Sequence, residues 1–163
     1  MGFYSDADFF PDNSIGFLCK RVHQLAQAGL EPAFAEEGLT FVQWHALISI
    51  HFERGTTSAA LARDLAYDKG ATTRLIDALE ARGWVRRSRE HEDRRLVALR
   101  LTDEGARVAH RCRARVLEAW NGWLAAWPDA DIADTIATLQ RLRATMESIA
   151  ERPGQQAGER VSA

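Results

Sequence analysis

The chain of 163 residues contains only two cysteines, Cys19 and Cys112, four prolines and two methionines. Two cysteines are too few for the disulfide framework of a small secreted domain. No apolar run reaches the roughly 18 residues of a membrane-spanning helix. The N-terminus, MGFYSDADFFPDNS, has no basic region followed by an apolar core, which argues against a signal peptide. These absences together imply a cytoplasmic protein. There is no glycine-rich phosphate loop, nucleophile elbow or HExxH motif, so an enzyme is not expected. Asp64, Asp68 and Asp77 are separated carboxylates whose helix-capping and surface roles suffice. His23, His45, His51, His91 and His110 include no pair three or four residues apart, and the cysteines are far apart, so neither a metal site nor a cofactor is expected.

What is present describes an ordinary globular chain, 46% apolar and 27% charged, of a length that suits one domain. The net charge of −2 speaks against nucleic acid, but its distribution does not. Between Arg63 and Arg115 there are 14 Lys and Arg against 9 Asp and Glu. Such a basic block inside an acidic protein is either a solvated surface or an electrostatic footprint for a polyanion.

Capping signals divide most of the chain into helices. Asp12 and Asn13 precede a segment with Ile15, Leu18, Val22 and Leu25 on one face; Pro32 should kink or interrupt it, and Gly38 fits a C-terminal cap. Thr40 and Gln43 form a capping box, with Leu39 and Trp44 as its hydrophobic staple. The helix that follows runs to about Arg54, with Phe41, Trp44, Leu47, Ile48, His51 and Phe52 facing inward. A short helix after Thr57 and another from Asp68 to Arg82 have the spacing of a helix-turn-helix. Trp84-Val85 and Leu96 to Leu101 read as strands around a polar hairpin, residues 86–95. Thr102 caps a long helix carrying Val108, Cys112, Val116, Trp120, Trp123 and Trp127, which Pro128 ends. A last helix begins near Asp129 or Asp131, with Ile132, Ile136, Leu139, Leu142, Met146 and Ile149 at helical spacing. The tail from Arg152 reads as disordered.

At 100° per residue, Ala71, Leu75, Ala78 and Leu79 of the second helix-turn-helix helix fall on one side, with Thr72 at the edge. Lys69, Gly70, Thr73, Arg74, Asp77 and Glu80 fall on the other. The donors lie in the first half, where a recognition helix reads bases. Arg74 suits a bidentate contact with guanine, Thr72 and Thr73 suit phosphate or base edges, and Asp77 and Glu80 would repel phosphate or accept from a cytosine amine. A solvated amphipathic helix explains the same pattern. The following hairpin, with Arg86, Arg87, Arg89, Arg94 and Arg95, shifts the balance toward duplex DNA, because arginine at a hairpin tip suits a narrow minor groove.

This order of elements resembles the MarR family of winged helix-turn-helix regulators, from about Asn13 to Glu151. The segment TTRLIDALEARGWVRRSREHEDRRLVALRLTDEG, residues 72–105, meets the family's wing signature with Asp93, Arg95, Leu101, Thr102 and Gly105. LTFVQWHAL, residues 39–47, resembles the family's second helix. The resemblance implies a mainly α fold with a small β-hairpin wing. It implies a single domain over residues 1–151, with a DNA-binding lobe at about 40–101, a helical dimerisation region at about 13–37 and 102–151, and a tail at 152–163. It further implies a homodimeric repressor on a pseudo-palindromic operator, with Arg95 in the minor groove oriented by Asp93. Arg94 is the alternative to Arg95.

Many family members are released by phenols or aromatic carboxylates bound between the first, second and fifth helices. The corresponding neighbourhood here could include Arg21, Trp44, His45, His51 and Cys112. Arg21 could pair with a carboxylate. Trp44 reads first as core and staple rather than ligand wall, and His51 first as a hydrogen-bonded core histidine. A redox branch of the family places a reactive cysteine near the start of the first helix. Gly16 occupies that register here and Cys19 lies nearly a turn later, beside Lys20 and Arg21, so a cysteine-based redox sensor stands as an alternative to an inert thiol. A winged helix used as a protein-interaction adaptor is the remaining alternative.

Overall fold

The computed structural model describes residues 2–6, 9–89 and 97–150. Contacts divide the chain into two compact units, residues 1–120 and 121–163. In the first unit a 3-10 turn, Pro11–Asn13, leads into α1 (Ile15–Glu36), α2 (Phe41–His51), α3 (Ser58–Leu65), α4 (Lys69–Ala81), β1 (Val85–Arg89), β2 (Val97–Leu101) and most of α5 (Asp103–Trp123). The second unit holds the end of α5 and α6 (Asp129–Ala150).

Local chemistry sets these boundaries. The α1 N-cap is Ser14 rather than Asp12 or Asn13, and its side chain makes no cap bond. The Tyr4 hydroxyl takes that role by accepting from the Ile15 amide at 3.1 Å. Pro32 does not interrupt α1, which runs on to Glu36. It removes one amide donor with little more than a turn of helix left, a loss the short remainder tolerates. Thr40 and Gln43 complete the expected box: Thr40 Oγ1 accepts from the Gln43 amide at 3.3 Å and Gln43 Oε1 from the Thr40 amide at 3.0 Å. Thr57 and Asp68 cap α3 and α4 by accepting from the amides of Ala60 and Ala71. Gly83, at φ +69°, turns the chain out of α4 in a conformation that favours glycine.

The core gathers Leu30 and Phe34 of α1, Trp44, Leu47 and Ile50 of α2, Leu61, Leu75, Ile76 and Leu79 of the helix pair, Trp84, Val85 and Leu99 of the hairpin, and Val108 and Cys112 of α5. The buried arc of α2 is wider than the expected face and rotated from it. Ala46, Ser49 and Ile50 are buried, whereas His51 and Phe52 are exposed. β1 and β2 pair antiparallel, Val85 opposite Leu101 and Arg89 opposite Val97. The Leu99 amide also donates to the Thr56 carbonyl at 2.8 Å, which ties the hairpin to the start of α3.

Two arginines fasten the ends of this unit. Arg82 donates to the Gly38 carbonyl and lies over the Trp84 ring, 3.8 Å from its centroid. Arg111 of α5 makes two 2.8 Å bonds to the Glu37 carboxylate, which hold that carboxyl below the usual range. The expected run of the long helix to Trp127 is shortened: α5 stops at Trp123, and the Trp127 amide bonds the Leu124 carbonyl in a turn before α6. No residue of α6 is buried. No helix among the described residues is long and apolar enough to cross a membrane. The expected disordered tail lies outside the described residues.

Candidate nucleic-acid interface

The α3–α4 pair sits on the core through Leu61, Leu75, Ile76 and Leu79, which leaves the opposite side of α4 to solvent. Lys69, Gly70, Thr73 and Arg74 are exposed there, all within the first two turns. The Thr73 hydroxyl donates to the Lys69 carbonyl at 2.8 Å. Thr72 does not belong to this face. It is 0% exposed, with its hydroxyl donating to the Asp68 carbonyl at 2.8 Å. A hydroxyl satisfied within its own helix can be buried at little cost, so Thr72 packs as a core residue rather than a DNA contact.

Asp68 closes the N-terminus of α4, and the Ala71 amide, 2.8 Å away, lowers its carboxyl pKa. A β-carbon at Gly70 would stand 3.2 Å from Asp68 Oδ1 and 3.6 Å from Arg74 Nη1. The absence of that carbon leaves the cap and the arginine room at the exposed end of the helix.

The two acidic residues further along α4 have a partner that the sequence pattern did not reveal. Arg87 of β1 donates from Nη2 to Asp77 at 2.7 Å and from Nη1 to Glu80, while its amide donates to Glu80 Oε1 at 2.9 Å. Its guanidinium is thereby committed to α4, not available to phosphate as expected for a wing arginine. Its hydrogen bonds to the two carboxylates, that to Asp77 first, raise its pKa. The arrangement offsets part of the negative charge on this stretch of α4 and locks the hairpin to the helix. Arg86, its neighbour, is exposed. Among the described residues, none of Lys69, Arg74 and Arg86 forms an ion pair with a carboxylate. Asp93, Arg94 and Arg95 lie outside the described residues.

The five residues expected near an effector do not share one cavity. Arg21 is exposed on α1. Trp44 is buried and stacks on Phe34 with centroids 5.5 Å apart, which makes it a core residue. His45 lines a cavity between α1, α2 and α3. His51 is exposed, not a core histidine, and lines a separate cavity of about 260 Å³ with Ile48 of α2 and Ala109, His110 and Arg113 of α5. Cys112 is fully buried, and burial pushes its thiol up to about 11. His110 and Arg113 were missed because a charged residue on a long helix reads as solvated unless its neighbour is known. Cys19 is an exposed free thiol. Iodoacetamide at pH 8 should leave Cys112 unmodified in the native protein and alkylate it in denaturant, as peptide mapping would report. Rapid native labelling of Cys112 would contradict its place in the core.

Comparison with known proteins fits this geometry. A sequence model of the MarR family matches residues 39–97, from the start of α2 to the first residue of β2. The multiple antibiotic resistance protein MarR of Salmonella typhimurium is 32% identical over 101 residues, 62% of this chain and 70% of that protein. The chain belongs to the MarR family. Its relatives are transcriptional regulators, not enzymes. Two solved structures bear on the site. A cysteine-to-serine mutant of MarR from E. coli, complexed with operator DNA, is 27% identical, with a TM-score of 0.68 over 78% of this chain and 92% of that one. CouR from Rhodococcus jostii RHA1, bound to p-coumaroyl-CoA, is 28% identical, with a TM-score of 0.72 over 82% and 94%. The mainly α fold with a two-stranded wing expected from the sequence is the fold of this MarR-family regulator.

Proposed function

We propose that this chain is a homodimeric transcriptional repressor that binds a pseudo-palindromic operator and is released by a small aromatic carboxylate or phenol. The observation that carries the DNA reading is the exposed first half of α4, where Lys69, Thr73 and Arg74 face solvent while Arg87 engages the carboxylates of Asp77 and Glu80. Arg86 extends this surface onto the wing, and Arg95 or Arg94, with Asp93, completes it. The complex of the related E. coli MarR mutant with operator DNA supports the assignment.

Dimerisation is supported by apolar surface. Ile15, Leu18, Val22 and Leu25 of α1 are each about half exposed, as are Ile136 and Leu139 of α6. Apolar stripes along whole helices are what a permanent interface between copies would cover. On this reading residues 40–101 form the DNA-binding lobe, and 13–37 and 102–151 the dimerisation region. A two-fold dimer places its recognition helices about one DNA turn apart.

The cavity between α2 and α5 is the favoured effector site. Its Arg113, His110 and His51 can receive an anion, and Ile48 and Ala109 supply apolar wall. Its volume of about 260 Å³ suits a single ring. The p-coumaroyl-CoA bound to CouR carries an aromatic acyl group, a chemistry of the same kind.

The direct test is binding of the purified protein to its own upstream intergenic DNA and to unrelated DNA across a salt series. A strong preference, with affinity falling steeply as salt rises, is expected. Equal binding to both duplexes at every salt concentration would overturn the regulator reading. Arg87→Ala should weaken operator binding several-fold while the fold persists, because Asp77 and Glu80 then face DNA uncompensated. Adding Glu80→Gln should recover part of that loss, as gel shift would show.

A further inference from the structure

The larger cavity carries chemistry of the opposite sign. It occupies about 560 Å³ between α1, α2 and the end of α3. Phe34, Phe41 and Tyr67 contribute rings, and Glu31 and Asp64 contribute carboxylates. No lysine or arginine is among the described residues that line it. Asp64 shares one oxygen, Oδ1, with Arg54 at 2.6 Å, and Arg54 is not part of the lining. Glu31 has no ion-pair partner among the described residues.

Two histidines complete the wall. The His45 ring meets Phe41 edge-on at 4.3 Å, and His23 lies 5.5 Å from Phe41 and 6.4 Å from His45. Burial first, and then His23, hold the His45 imidazole below its ordinary value. The cavity therefore combines aromatic faces, which attract cations through their quadrupoles, with two carboxylates in its lining, Glu31 exposed and Asp64 part-buried and paired with Arg54. An aromatic carboxylate would meet Glu31 and Asp64 with like charge.

We propose that this cavity is a second effector site, selective for an aromatic organic cation. Its role as an effector site rests on the repressor reading above; its choice of charge does not. The site is placed to act on DNA binding. Asp64 and Leu65 end α3, Ala66 turns the chain in the left-handed region, and Asp68 then caps α4. A ligand wedged beside Asp64, Leu65 and Tyr67 bears on the turn that aims Lys69 and Arg74.

Calorimetry with berberine, a planar aromatic cation, on the DNA-free protein tests the charge preference. Binding is expected, with affinity about tenfold weaker in Glu31→Gln/Asp64→Asn and no displacement by salicylate. Glu31→Gln alone, at an exposed position, should give a smaller loss, which guards against a misfolded double variant. Absence of binding, indifference to both variants, or displacement by salicylate would overturn the proposal. A gel shift with and without berberine tests the coupling. Release of the operator is expected, whereas berberine binding without release would remove the effector role. Failure of the protein to bind its operator without berberine would instead count against the repressor reading.

Discussion

Gly105→Ala should destabilise the protein by about 3 kcal/mol or more, lowering the thermal midpoint by about 6–12 °C. A β-carbon at this position would stand 1.9 Å from the Trp84 carbonyl oxygen, 2.7 Å from its carbon and 3.0 Å from Trp84 Cα. All three are backbone atoms, so no rotamer change relieves the overlap. The backbones are also bonded to each other. The Thr102 amide donates to that same Trp84 carbonyl at 3.0 Å. The Thr102 hydroxyl donates to the Gly83 carbonyl and accepts from the Gly105 amide. Moving α5 away from Trp84 breaks these bonds, and keeping them retains the clash. Gly122→Ala is the matched control: among the described residues nothing lies within 4 Å of where its β-carbon would stand, and alanine's helix propensity should raise stability by up to about 1 kcal/mol. Urea or thermal unfolding of both variants checks the pair. Equal midpoints would mean that the first turn of α5 has room the geometry denies.

The caps of α2 to α5 were legible because a cap is a local event, whereas that of α1 fell at Ser14 instead of Asp12 or Asn13. Thr40, Gln43, Thr57, Asp68 and Thr102 each act within three residues of their partner, so sequence spacing determines the bond. The wing signature entered through the family resemblance, and Gly105 within it has a steric cause in the Trp84 carbonyl. What the pattern could not supply was the identity of the neighbour across space. Arg87 reads as a phosphate ligand until the hairpin twist brings it over Asp77 and Glu80, and those two read as repulsive until it arrives. A helical wheel places Thr72 at an edge without showing that its hydroxyl is satisfied inside the helix. Because α2 is enclosed on several sides, it has little amphipathic contrast, and its exposed arc at His51 and Phe52 could not be placed by periodicity. The candidate effector residues divided for a related reason. His45 and His51 are six residues apart on α2, and the helix carries them into cavities on different faces.

Arg74→Ala should weaken operator binding by ten- to a hundredfold per half-site and relax preference at one base pair, while Lys69→Ala should weaken all duplexes about equally. The two residues differ in what they can read. Lys69 is the first residue of α4, beside its positive end, where a phosphate is the favoured partner. Arg74 stands more than a turn further in, exposed on the same face, and its planar fork matches the two acceptors of guanine. In a two-fold dimer each substitution is present twice, so losses at the two half-sites add when the protomers bind together. The salt dependence separates the roles. Loss of a phosphate contact at Lys69 should lower the slope of log affinity against log salt by about one per contact removed. Arg95→Ala on the wing should also reduce affinity, most strongly on operators whose flanks have a narrow minor groove. Size-exclusion chromatography should find every variant dimeric, since none of these residues lies on the apolar stripes of α1 or α6. Unchanged affinity and salt slope in both α4 variants, with the dimer intact, would move the DNA contact away from the first half of this helix.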